Sequence, residues 1–232
     1  MNIVGAIFPL GNYSSETNGS FINHLRSLLP FARTCLVRGD ADQCFRSLLF
    51  QAALSYAAIG KRVSFYTPAP FQTIPSLVHT LIPKSLSTAN LHLIRFHYLS
   101  TIFDVHKHLS NSTCDIIIID GYLEFPLSKQ DDSFKIISAC ALLKDTYEYL
   151  SARSHRNDLI LLCSCTCAEI SMANVEQRAL FDMAIDIEML EDGDYRFQVH
   201  LATKSNSSCA FNLRSGRNEI IPLCATIEEQ KD

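Results

Sequence analysis

The residues with the clearest chemical potential lie where an apolar run, Thr34 to Gly39, gives way to a segment of helical period. A glycine-rich turn at such a junction surrounds phosphate with backbone amides, while a lysine meets the outer phosphates and a Ser or Thr holds Mg²⁺. With Gly39 as the first position of that motif, Cys44 stands at the second glycine, Phe45 at the lysine and Arg46 at the hydroxyl. The sequence therefore keeps the first glycine of the motif, but the second glycine, the lysine and the hydroxyl residue are all replaced.

These changes weaken nucleotide binding in the usual mode. Each lost charge-assisted hydrogen bond from the lysine is worth about 1.5–3 kcal/mol, and a cysteine Cβ crowds a turn that favours bare backbone. Phe45 also falls on the apolar face of the following helix, so we expect its ring to fill or adjoin the phosphate space. We therefore predict no catalytic residue and no bound cofactor, with ATP and Mg²⁺ as the disfavoured alternative. Nucleotide binding should appear only when Cys44→Gly, Phe45→Lys and Arg46→Thr are made together.

An aspartate and a group of cysteines are the candidate metal ligands. Asp120 ends the run IIII at 116–119, the position from which a carboxylate reaches magnesium through water in nucleotide-binding cores, although an aspartate there also commonly caps the next turn. Cys163, Cys165 and Cys167 alternate along an apolar run and share one face of a strand. Their spacing differs from that of zinc knuckles, so we interpret them as buried apolar residues and predict no metal site.

Basic residues form two groups that are candidates for DNA contact. The first is expected near the carboxyl edge of the sheet and consists of Arg38, Arg46, Lys61 and Arg62. The second lies in the C-terminal region of alternating strand and turn signals and consists of Lys204, Arg214 and Arg217. Ordinary surface solvation explains either group as well.

Composition limits the class of protein. The 232 residues are 47% hydrophobic and 19% charged, which excludes disorder over most of the chain. The charged fraction is low for a soluble protein, which is consistent with a partner that covers part of the surface. A net charge of −4 excludes a histone-like nucleic-acid binder, so any DNA contact must be local. Nine cysteines, no basic leader and no long apolar run predict a reduced, nuclear or cytoplasmic protein that does not enter membranes.

Short apolar runs alternate with segments of helical period after residue 33, which predicts a mostly parallel sheet with crossover helices. The predicted strands span 34–39, 62–67, 91–96, 114–121 and 158–165. The predicted helices lie at 21–29, from 45 to Gly60, and near 74–82, 101–109, 136–150 and 171–181. Four further strand candidates at 186–190, 195–203, 209–215 and 218–225 are separated by turn signals and predict an antiparallel meander. We divide the chain into an N-terminal arm (1–31), a core domain (32–226) and a solvated tail (227–232).

The order of these segments resembles a RecA-family recombinase core, and more closely the SWIM-associated recombinase paralogues of the metazoan Shu complex. The matching stretches are LVRG running into RSLLFQAALSYAA, LHLIRFHYLSTIFDVHKHL, CDIIIIDGYLEF, and ALLKDTYEYLSARS leading into DLILLCSCT. They span roughly Arg33 to Pro222. The resemblance implies a RecA-like P-loop core that works in homologous recombination in the nucleus. The implied partners are a SWIM-domain zinc protein, a RecA-type recombinase with its paralogues, and single-stranded DNA.

Some members of that family are DNA-stimulated ATPases, and the chain departs from them at a second place. The family carries a catalytic glutamate after the second strand, where this sequence has Pro68. A proline has no carboxylate with which to activate water, so we expect binding without hydrolysis. The alternatives are a hydrolysis-dead RecA-like subunit of another assembly, such as the tRNA-binding Elongator ring, and a divergent P-loop ATPase or kinase.

Overall fold

The computed structural model describes residues 3–7, 32–39, 42–73, 75, 86–122, 125, 132–153, 158–166, 180–190, 195–201, 208–214 and 219–222. Its helices are α1 (Ile3–Ile7), α2 (Asp42–Ala58), α3 (Thr88–Leu91), α4 (Ile102–Leu109) and α5 (Asp132–Arg153). Its strands are β1 (Thr34–Gly39), β2 (Val63–Thr67), β3 (Ile94–Tyr98), β4 (Ile116–Ile119), β5 (Ile160–Thr166), β6 (Met183–Met189), β7 (Tyr195–Leu201), β8 (Ser208–Arg214) and β9 (Glu219–Pro222).

The strands form one nine-stranded sheet in the order β3-β2-β4-β5-β1-β6-β7-β8-β9. Every pair from β3 to β6 is parallel, whereas β6 to β9 pair antiparallel. Strand β6 therefore belongs to both parts, since it pairs parallel with β1 on one side and antiparallel with β7 on the other. The predicted mostly parallel core with an antiparallel C-terminal meander is confirmed.

Burial on both faces explains the continuous apolar runs of the central strands. Alternate residues point to opposite faces, so Ile116 and Ile118 enter one core with α1 and α2, while Ile117 and Ile119 enter the other with α4 and α5. All four isoleucines are at most 1% exposed. A one-residue slip would exchange the isoleucines between two buried faces, so burial alone does not fix the register of this strand.

Two helices show how the sequence sets the crossovers. Helix α2 buries Leu48, Leu49 and Ala52 against the sheet and ends at Ala58. Gly60 follows in the turn, and its φ of 81° is the left-handed conformation that glycine adopts without strain. Helix α4 begins after Thr101, whose hydroxyl accepts from the Asp104 amide at 3.2 Å. These signals agree with the predicted helices.

Other predicted elements differ or lie outside the described residues. The strand predicted at 91–96 begins only at Ile94, because Ser87 and Asn90 form a capping box that starts the short helix α3. Within the predicted arm, Ile3, Ala6 and Ile7 of α1 are buried in the core against α2. The helices predicted at 21–29, near 74–82 and at 171–181, and the tail at 227–232, fall wholly or mainly outside the described residues. No helix in the described ranges is long and apolar enough to cross a membrane.

Candidate functional site

The candidate site lies at the carboxyl edge of the parallel sheet, where four strands end side by side. Gly39 ends β1 and Thr67 ends β2, while Asp120 follows β4 and Ser164 lies near the end of β5. Open parallel sheets bind ligands beyond this edge, so the fold gathers the sequence-predicted positions where a nucleotide would be expected.

Gly39 and Phe45 are in close contact. A Cβ built on Gly39 would lie 3.2 Å from Cε1 of Phe45 and 2.1 Å from the carbonyl oxygen of Ile187. Phe45 is 2% exposed and belongs to the core formed with α1 and α2. The ring thus packs into the core beside Gly39, at the sequence position that the phosphate-binding lysine has in the motif.

The turn itself is short. Strand β1 ends at Gly39 and helix α2 already begins at Asp42, so only residues 40 and 41 separate the two elements. The phosphate-binding motif places four residues between its glycines, whereas here the third and fourth of those, Asp42 and Gln43, are helical. The side chain of Cys44 lies outside the described part of the chain.

Arg46 and Asp120 meet across this edge. Nε of Arg46 donates to Oδ2 of Asp120 at 2.9 Å, with side-chain exposures of 38% and 3%. In the phosphate-binding motif these two positions hold magnesium between them. Here a guanidinium lies directly on the carboxylate, so the positive charge that the metal would supply comes from the chain.

Further hydrogen bonds fix Asp120. The hydroxyl of Ser164 accepts from the Gly121 amide at 2.9 Å and donates to Oδ1 of Asp120 at 3.2 Å. The Thr67 hydroxyl donates to the Ala69 carbonyl at 3.1 Å and lies 3.5 Å from Oδ2. Burial raises the pKa of Asp120 above its usual value, and Arg46 with these hydroxyls acts in the opposite direction.

Pro68 directly follows Thr67, at the place of the catalytic glutamate in the RecA-type enzymes. It is half-buried at the same edge of the sheet. Its ring has no group that can take a proton from water, so the position contributes no acid or base.

The four core cations proposed for DNA contact do not gather at one edge. Nε of Arg38 donates to Asp186 at 2.7 Å, and the Arg38 side chain is 4% exposed, so we withdraw it as a DNA contact. Arg46 is held by Asp120. Only these two lie near the carboxyl edge, which corrects the prediction.

Lys61 and Arg62 lie at the opposite, amino edge because they precede β2. The Arg62 carbonyl accepts from the amide of Ile116 at the start of β4. Nζ of Lys61 lies 2.6 Å from Asp158, and Nε of Arg62 lies 3.4 Å from Asp115. In the second group, Arg214 ends β8, while Lys204 and Arg217 lie outside the described residues.

The cysteines of β5 lie in the core. Cys163 and Cys165 are both at most 1% exposed and pack with α4 and α5, and burial raises the pKa of the Cys163 thiol well above its usual value. Cys167 lies outside the described residues. Among those that are described, no group of three or more His, Cys, Asp or Glu residues is placed to hold a metal ion.

Sequence reasoning found Arg46 and Asp120 separately but missed their direct contact. The available signal was their opposite charge at two positions that the motif brings together. The Arg38 to Asp186 pair was also missed, although an aspartate inside the apolar run MAIDIEM needs a buried partner, and strand register places the two residues side by side.

Comparison with known proteins supports the fold alone. No protein-family model matches the chain, and no curated protein matches it. The flagellar accessory protein FlaH from Methanocaldococcus jannaschii has a similar structure, with a TM-score of 0.54 and 12% sequence identity over 83% of this chain and 90% of that one. The chain therefore has a RecA-like α/β fold. Because 416 solved chains match this structure, the fold does not select a function, which must be argued from the site.

Proposed function

We propose that the chain is a recombinase-paralogue subunit that works in homologous recombination by binding, without hydrolysing ATP. It acts in the nucleus with a SWIM-domain zinc protein to stabilise a RecA-type recombinase on single-stranded DNA. The observation that carries the non-hydrolytic part is the Arg46 to Asp120 ion pair at the place of magnesium. The RecA-like fold and the resemblance of the quoted segments support the rest.

Three parts of the nucleotide chemistry are replaced together. Phosphoryl transfer needs a cation at the outer phosphates, a metal ion and a group that orients water. The corresponding positions hold the buried ring of Phe45, the guanidinium of Arg46 on Asp120, and Pro68. A neighbouring group can compensate for one replacement, whereas three replacements at one edge support a protein that keeps the fold and does not hydrolyse ATP.

Single-stranded DNA is assigned to the C-terminal strands. Each of the four core cations has a carboxylate partner, which lowers the net charge it offers to phosphate. We therefore propose that the DNA contact of this chain falls to Lys204, Arg214 and Arg217. The low charged fraction of 19% supports a surface partly covered by a protein partner.

Co-expression with the SWIM-domain protein tests the partnership. We expect the two proteins to elute as one complex in size-exclusion chromatography. We also expect this complex to slow the dissociation of recombinase from single-stranded DNA. Recovery of Elongator ring subunits from cells in place of the SWIM protein and recombinase would contradict it and favour the tRNA-binding alternative.

A triple variant that removes three positive charges, Lys204→Gln with Arg214→Gln and Arg217→Gln, tests the DNA assignment. We expect weaker binding of single-stranded DNA. The slope of the logarithm of the binding constant against the logarithm of salt concentration should become smaller by up to about three. The matched control is Lys61→Gln with Arg62→Gln, at the amino edge. Equal loss in both variants would overturn the assignment.

A further inference from the structure

A pocket of about 330 Å³ lies at the amino end of β2 and β3, opposite the edge that holds Asp120. Its walls come from the start of β2, the edge strand β3, the C-terminal end of α4 and the turn that precedes β4. The volume lies at the lower end of the range for small-molecule sites.

The described lining is rich in cationic and protonatable groups and contains no carboxylate. These groups are Arg62, Arg95, His92, His97 and His108. Asp115 lies outside the lining and pairs with Arg62, which neutralises part of that charge. A concave site lined with one sign of charge focuses its field and concentrates counter-ions.

Arg95 supplies a fixed charge to this pocket. It is exposed on β3, and register places it beside Ser64 of β2. No carboxylate pairs with its guanidinium among the residues whose placement is described. A guanidinium offers several donors in a fork that matches the oxygens of a phosphate group.

His97 adds a polar atom that the described protein does not satisfy. Its ring stacks on Tyr66 with centroids 4.9 Å apart, and the ring of His108 lies 4.2 Å away. Nε2 of His97 is buried and has no hydrogen-bond partner among the described residues. A buried nitrogen of this kind costs free energy unless a polar group reaches it.

We propose that this pocket binds the phosphate group of a small molecule, with Arg95 and His97 as its principal contacts. His108, which lines the same pocket, adds a further protonatable ring. The site is separate from the Arg46 to Asp120 pair, so it stands whether or not the proposed function holds.

Binding should be linked to protonation of His97. Burial lowers the pKa of His97, as do the neighbouring charges of His108 and Arg95. An anion beside the ring favours the charged form, so binding takes up a proton and strengthens as pH falls from 8 to 6. Tyr66 and His108 contact the ring, and the other titratable or charged groups around the pocket are Arg95, His92, Cys114 and Arg62 with its partner Asp115.

Calorimetry of the full chain with inorganic phosphate and with sulfate tests the proposal. Sulfate keeps its charge across this range, so its pH dependence reports the imidazoles rather than the ligand. We expect saturable binding of one ion, weakened about tenfold or more by Arg95→Gln and by His97→Gln. Arg196→Gln is the control, since Arg196 is exposed on β7 and pairs with Glu188.

Histidine resonances provide the second measurement. The proposal expects phosphate to shift the ring signals of His97, with circular dichroism showing that each variant is folded. No saturable binding, or equal binding in Arg95→Gln and Arg196→Gln, would overturn the site. If single-stranded oligonucleotide displaces phosphate and nucleoside monophosphate does not bind, the phosphate belongs to DNA and the small-molecule assignment is wrong.

Discussion

Nε of Arg46 lies 2.9 Å from Oδ2 of Asp120, although the two residues are 74 positions apart in the sequence. One is the arginine in the second turn of α2 that replaces a metal-binding hydroxyl, and the other is the aspartate that follows β4. Their contact gives Asp120 a cation without a metal ion, at the edge of the sheet where nucleotide chemistry would take place.

Removing Arg46 should destabilise the fold, because Asp120 would stay buried without its cation. We expect Arg46→Ala to lower the free energy of unfolding by about 1–3 kcal/mol in urea denaturation. Combining it with Asp120→Asn should cost less than the sum of the two single changes. Lys61→Ala, which breaks an exposed pair, is the control and should cost about 1 kcal/mol or less. Strict additivity of the first two changes would show that the pair contributes nothing.

Adding a methyl group at Gly39 should be costly for a steric reason. The Cβ would lie 2.1 Å from the Ile187 carbonyl oxygen, which is backbone of the neighbouring strand β6 and must move. We expect Gly39→Ala to cost roughly 3 kcal/mol or more. Gly60→Ala is the matched control, since a Cβ there meets nothing within 4 Å, and only its φ of 81° is strained, at about 1–2 kcal/mol. Similar losses in both variants would contradict the close packing of β1 against β6.

Restoring the phosphate-binding residues should not restore binding. The triple variant Cys44→Gly, Phe45→Lys and Arg46→Thr removes a ring that is 2% exposed in the core. We expect a loss of about 3–5 kcal/mol from the change at Phe45 alone, whereas Phe45→Leu should cost clearly less. The turn still has only residues 40 and 41 between β1 and α2, so the three changes are necessary but not sufficient. Tight Mg-ATP binding by the triple variant would show that the short turn is no obstacle.

Stability should fall as the solution becomes more acidic than about pH 6.5. Burial lowers the pKa of His106 below its usual value, so as the pH falls the unfolded chain takes up this proton before the folded one does. The free energy of unfolding therefore falls as the pH falls through this range. His106→Gln should flatten the slope relative to the wild-type protein, measured by urea denaturation at several pH values. An equal slope in the variant and the wild-type protein would assign the acid sensitivity to other groups.

The strands were predictable wherever both faces are buried. The run IIII at 116–119 and the run at 34–39 can satisfy their side chains only inside a sheet covered on both sides, so the pattern fixes strand and fold class together. The helix α3 was missed because its signal is two polar residues, Ser87 and Asn90, that cap one turn. A helix that depends on these local hydrogen bonds leaves no periodic pattern of apolar residues in the sequence.

Site geometry was less predictable because it depends on which charges meet in space. Arg46 and Asp120 were both flagged, but spacing within each element does not reveal a contact across the sheet edge. Lys61 and Arg62 were assigned to the wrong edge because adjacency to a strand says nothing until the start of that strand is fixed at Val63. The pairing of Arg38 with Asp186 required the register of β1 against β6.

Calorimetric titration of the full chain with Mg-ATP, alone and with the proposed SWIM-domain partner, tests the central claim most directly. With Arg46 on Asp120 and Phe45 beneath Gly39, we predict no saturable heat up to millimolar nucleotide in the wild-type protein or in Asp120→Asn. Saturable binding by the wild-type protein that Asp120→Asn abolishes, with DNA-dependent release of phosphate, would contradict the account.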